Sequence, residues 1–190
     1  MSDAPAPVAP GEAATSPAAL PPPPSRGSRI ALVLAVLVPA LALDLWTKEW
    51  AWQNLRQFPG KVIVQNFFHL EFAFNTGSAF GFLRDAAWSR MFFIGITVAA
   101  LVYMARLAWT LPTRWPSAFI AVGLIASGAL GNLHDRFMRV YHDNYGVVDF
   151  IVVFYWPGKR WPAFNIADAA LVAGVLLFMI YLRRHGDRPA

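Results

Sequence analysis

Four apolar runs punctuate the chain: "RIALVLAVLVPALALDLW" (29–46), "RMFFIGITVAALVYMARLAW" (90–109), "SAFIAVGLIASGALGNL" (117–133) and "AFNIADAALVAGVLLFMIYL" (163–182). Each is close to the roughly 20 residues a helix needs to cross the hydrocarbon, and a helix satisfies its own backbone there. None shows the polar face of a surface helix, so four transmembrane helices are predicted. Pro39, inside the first run, is tolerable where neighbouring helices satisfy the freed carbonyl.

The connections differ in length. Residues 110–116, "LPTRWPS", make a tight loop, which leaves the long, aromatic-rich segments 47–89 and 134–162 together on the opposite side. "KVIVQNFFHLEFAFN" (61–75) is β-branched and aromatic with partial alternation, which predicts a short sheet. "WQNLRQF" (52–58) reads as a surface-lying amphipathic helix. The predicted fold is therefore an all-α integral membrane protein of four helices with a small extracytoplasmic β/loop subdomain. Residues 28–185 form that domain. Residues 1–27, Pro/Ala-rich with Pro21 to Pro24 favouring polyproline, are expected to be a disordered cytoplasmic tail, not a signal peptide.

Composition agrees with this picture. The chain is 57% hydrophobic and only 14% charged, against about 25% charged for soluble domains. Cys is absent, which excludes thiol nucleophiles and thiolate metal sites. The net charge of +5 comes from basic residues set singly or in pairs between apolar runs, a membrane-flanking pattern with no call for nucleic acid. The tail side carries seven basic residues, Arg26, Arg29, Arg106, Arg114, Arg183, Arg184 and Arg188, in short flanks, and the long-loop side carries the other nine of 16; density favours the tail side as cytoplasmic, whereas the raw count does not.

Ionisable groups within such a frame are functional suspects. Asp44 and Lys48 are four apart near the end of the first helix and can pair. "FNTGSAFGF" (74–82) sets Asn75 before Gly77 and Gly81, which permit tight turns. "GALGNLHDR" (128–136) puts Asn132 and Asp135 on one helix face beside Arg136, with Gly128 and Gly131 allowing close helix approach. Spacing favours a salt bridge from Asp135 to Arg136. His134, Asp135, His142 and Asp143 lack metal-ligand spacing, so no metal is expected.

"VVDFIVVFYWPGKRWPAFNIAD" (147–168) holds only two carboxylates, Asp149 and Asp168. With Pro162 in the first turn of the fourth helix, Asp168 falls about 9 Å along it. Asn165 lies one turn earlier on the same face. Two carboxylates sharing a site of low dielectric would split one proton and make an acid–base pair. Two separate buried acids, each hydrogen-bonded to Asn or Arg, fit the same residues.

Together, "DLWTK" (44–48), "NTGSAFG" (75–81), "GNLHDR" (131–136), "VVDF" (147–150) and "FNIAD" (164–168) resemble, in order, the motifs of the bacterial lipoprotein signal peptidases (signal peptidase II). The resemblance covers residues 29–184. It implies an aspartic intramembrane endopeptidase with four spans and both termini in the cytoplasm. Such an enzyme cuts prolipoproteins just before a diacylglyceryl-modified cysteine, near the extracytoplasmic face of the inner membrane. It implies a dyad of Asp149 and Asp168, with Asn75, Asn132, Arg136 and Asn165 lining the site, Asp44 and Lys48 supporting it, and Asp135 outside the dyad. No cofactor is implied. The expected partners are membrane lipids and the prolipoprotein, acted on by a monomer. Three rivals remain: a proton-coupled transporter using the same acids, a Ser/Lys peptidase with Ser78 as nucleophile, and a non-enzymatic assembly factor.

Overall fold

The computed structural model describes residues 24–77 and 88–185. Most of the predicted tail, together with Ser78 and Gly81, lies outside the described residues. Ten elements follow in order: α1 (Arg26–Asn54), β1 (Lys61–Val64), β2 (Phe68–Asn75), α2 (Ser89–Thr110), α3 (Pro116–Met138), β3 (Val140–Tyr141), β4 (Asn144–Tyr145), β5 (Val147–Trp156), β6 (Lys159–Arg160) and α4 (Ile166–His185). All four helices are long and apolar enough to cross a membrane.

α1 begins where Ser25 caps it, the Ser25 hydroxyl accepting the Ser28 N–H at 3.2 Å. It runs past the apolar run to Asn54, so the amphipathic helix expected at 52–58 is a correction: residues 52–54 are the last turn of α1. At about 1.5 Å per residue, its 29 residues are longer than the hydrocarbon is thick.

α3 is the central helix. Ala118, Phe119, Ala121, Val122, Ala126 and Ala129 are buried, while α1, α2 and α4 keep broad apolar faces outward. Small residues set the close contacts. A Cβ on Gly128 would collide with the Ala167 carbonyl and Leu171, and one on Gly131 with the Asp44 carboxylate.

The long connections do meet, as an antiparallel sheet ordered β1-β2-β5-β6. The predicted 61–75 sheet is its first hairpin. The β-branched run after Val147 is a full strand of 10 residues, paired so that Ala73 faces Asp149 and Asn75 faces Val147. Trp52, Phe72, Phe74 and Tyr141 cluster on it with centroids 5.5–6.5 Å apart.

α4 starts later than predicted. Ile151 and Phe164 exchange backbone hydrogen bonds of 2.8 and 3.0 Å, which holds the chain extended up to Asn165. Pro162 therefore precedes the helix, and Asp168 sits in its first turn instead of about 9 Å inside.

An even number of spans puts both ends of the membrane domain on one side. Reporter fusions at residues 60 and 113 are expected to report opposite sides; the same side for both contradicts the topology.

Candidate active site

Asp149 and Asp168 arrive from different elements and share their neighbours. Asp149 lies on β5, buried between Val148 and Phe150. Asp168 lies in the first turn of α4. Between them stands Asn165, fully buried, whose Nδ2 donates to Asp149 Oδ1 at 2.7 Å. Its Oδ1 accepts the Asp168 N–H at 2.9 Å, while Asp168 Oδ2 accepts the Asn165 N–H at 3.2 Å. That reciprocal pair is a capping box, which fixes the start of α4 at Asn165 and holds Asp168 in its first turn.

Each remaining amide is fixed by a second bond. Asn75 ends β2, and its Oδ1 accepts the Gly77 N–H at 2.9 Å. Its Nδ2 is thereby aimed at Asp149 Oδ2, 3.1 Å away. Gly77 has φ +101°, which side chains rarely adopt, and a Cβ there would strike the Phe93 ring. Asn132, on α3, donates through Nδ2 to Asp168 Oδ1 at 2.7 Å. Its Oδ1 accepts from Lys48 Nζ at 2.9 Å, so flipping this amide would set NH₂ against an ammonium.

Asp149 is pushed up from 3.8 to about 7, first by burial and then by the negative charge of Asp168. Asp149 therefore keeps its proton up to about pH 7. Folding takes up that proton between about pH 4 and 7, because the unfolded carboxyl is already ionised there. Stability from this group is complete below that window and is lost as pH rises through about 7. Asp149→Asn is expected to flatten this part of a stability–pH curve measured in detergent; an unchanged slope would contradict the assignment.

Beneath the dyad lies an ionic layer. Lys48, fully buried, faces Asp44 Oδ2 at 2.9 Å and Asp135 Oδ2 at 3.6 Å. Asp44 Oδ1 accepts the Ala167 N–H at 2.8 Å, which ties α1 to the start of α4. The predicted Asp44–Lys48 pair thus forms, and it supports the site from below.

The expected Asp135–Arg136 bridge is a correction. Neighbours in a helix point apart, and Asp135 pairs instead with Arg139 at i+4, 3.0 Å away. It also accepts the Val148 N–H at 3.1 Å, which clamps β5 one residue before Asp149. Arg136 turns to the Asn132 carbonyl (3.1 Å), lies over the Phe93 ring and is within electrostatic reach of both dyad carboxylates. Arg139 and the Val148 and Ala167 amides went unforeseen; only Arg139, by its i+4 spacing, carried a sequence signal. Among the described residues no cluster of His, Asp or Glu fits a metal ion.

Residues 35–184 match the family model described as signal peptidase (SPase) II. The chain belongs to the signal peptidase II family. A lipoprotein signal peptidase from Xanthomonas euvesicatoria pv. vesicatoria (strain 85-10) is 36% identical over 160 residues, 83% of this chain and 88% of that protein. One from Serratia marcescens is 42% identical over 132 residues, 69% and 73% of the two chains. A solved structure described as a bacterial membrane enzyme, determined in meso at 2.3 Å, superposes with TM-score 0.68 at 26% identity. It covers 86% of this chain and 92% of its own. The protein is thus an aspartic-type peptidase, a multi-pass bacterial membrane hydrolase that removes signal peptides from prolipoproteins.

Proposed function

We propose that Asp149 and Asp168 are the catalytic pair, and that the peptidase cuts before a diacylglyceryl-modified cysteine at the extracytoplasmic face of the inner membrane. The observation that carries this reading is the one amide, Asn165, that binds Asp149 and caps the helix holding Asp168. Ionised Asp168 takes a proton from water. Asp149 gives its proton to the scissile carbonyl oxygen as the water oxygen bonds to the carbonyl carbon. The gem-diol then collapses: Asp168 gives its proton to the leaving nitrogen as the C–N bond breaks, one gem-diol hydroxyl returns its proton to Asp149, and a carboxylic acid product remains. No covalent enzyme intermediate arises. Asn132, Asn165 and Asn75 hold both carboxylates in register, and Arg136 supplies positive charge beside them.

The position of Asp168 in the first turn of a helix long and apolar enough to span supports a site near a membrane boundary. A lipid-anchored residue keeps its peptide bond at that depth. The dense Arg flanks of the other side support a cytoplasmic location for it. Purified protein is expected to cut a diacylglyceryl-modified precursor peptide once, before the modified cysteine, and to leave the unmodified peptide intact. Equal cutting of both, or of neither, contradicts the reading.

A further inference from the structure

The dyad is buried unevenly: Asp149 is enclosed, whereas Asp168 is partly open and lines a groove on the outer side of α4. Trp161, Phe164, Ala169, Val172, Ala173 and Leu176 form the rest of it, around a volume of ≈ 440 Å³. Asp168 is the only charged residue among these, and of those on α4 it lies nearest the helix N-terminus. Residues 168, 169, 172, 173 and 176 fall on one helical stripe, about 12 Å long from Asp168 to Leu176. Ala169 and Ala173 are its small lining residues on α4, and Trp161 and Phe164 come from the extended segment before α4.

We propose that this groove seats one acyl chain of the substrate's lipid. The inference rests on the reading above, in which the lipidated residue immediately follows the scissile bond. Consecutive Cα atoms are about 3.8 Å apart, so that lipid starts within a residue's length of the dyad. An apolar channel that opens at Asp168 and runs down a spanning helix continues its path. The groove follows a single helical stripe, and a hydrocarbon chain is far thinner than a signal-peptide helix about 10 Å across, which favours the acyl chain as its occupant.

The physical role follows from the solvent. An acyl chain outside the groove already lies among lipid tails as apolar as the groove itself, so seating it gains little hydrophobic energy. What the groove supplies is orientation. It fixes the glyceryl end, and with it the scissile carbonyl, against Asp168. The expected signature is therefore in kcat and not in KM.

The test uses full-length protein in detergent with two precursor peptides of one sequence, carrying either dipalmitoyl or dibutyryl glyceryl groups. Ala173→Phe fills the groove about 7 Å below Asp168, out of reach of the catalytic groups. With the long-chain substrate, kcat is expected to fall about tenfold or more with KM little changed, while the short-chain substrate keeps wild-type kcat. Equal loss with both substrates, or no loss with either, would overturn the proposal. Should Ala173→Phe not fold, a diacylglyceryl peptide with a photoreactive group midway along its acyl chains is applied to the wild-type protein. Crosslinks are expected within residues 161–176, and crosslinks confined to other elements would overturn it. If wild-type protein cuts neither lipidated precursor, the proposed cut before a diacylglyceryl-modified cysteine fails; cutting without the chain-length effect rejects the groove alone.

Discussion

Replacing either Asp149 or Asp168 by Asn is expected to lower turnover of a lipidated precursor by about 10³-fold or more. An amide can neither take water's proton nor return one to the leaving nitrogen. The two variants should nevertheless fold, though not with equal ease. Both Asp149 oxygens accept from amide NH₂ groups, Asn165 at 2.7 Å and Asn75 at 3.1 Å. In Asp149→Asn one donor must face another, a mismatch of about 1–3 kcal/mol. Asp168→Asn keeps one oxygen to accept from Asn132 or from the Asn165 N–H, so the cap loosens without being lost. Asp143→Asn is the control. Asp143 is exposed in the β3–β4 turn at φ 61°, a conformation Asn tolerates, and its loss should leave turnover near wild type. Turnover is read per folded protein in detergent. Near-normal rates in either dyad variant would reject the acid–base pair.

The second large effect lies below the dyad. Lys48→Met removes the only cation that Asp44 pairs with among the described residues and leaves that carboxylate buried with the Ala167 N–H alone. Removing one partner of a buried pair costs about 3–5 kcal/mol, a large part of a typical protein's stability. Asp135 fares better because Arg139 stays with it at 3.0 Å. The double variant Lys48→Met with Asp44→Asn is expected to recover part of the loss, since the stranded charge is gone. Thermal midpoints in detergent for the two variants decide this, and a single variant as stable as wild type would show that Lys48 carries no such load.

Much of this architecture was legible in the chain because its cause is local. An apolar run of membrane length needs no partner to be read, and the four helices lie where the runs do. The Asp44–Lys48 pair followed from i+4 spacing alone. What escaped was set by contacts distant in sequence. The start of α4 depends on Phe164 bonding Ile151, which overrides the N1 preference of Pro162. The Asp135 partners include the Val148 amide, 13 residues on, which no helical spacing encodes. For the dyad, the residues left two readings open, one shared site or two separate acids. The structure brings both acids to one amide, because β5 folds back over the N-terminus of α4.

The central claim is that the pair works with one proton, held by Asp149. The most direct test is the pH dependence of single-turnover cleavage of a diacylglyceryl-modified precursor, from about pH 5 to pH 9, with folding checked at each point. If protonated Asp149 is the acid, the rate falls as pH rises through about 7, because desolvation and the Asp168 charge hold its proton up to that point. A rate that stays level or climbs across that range would contradict the account.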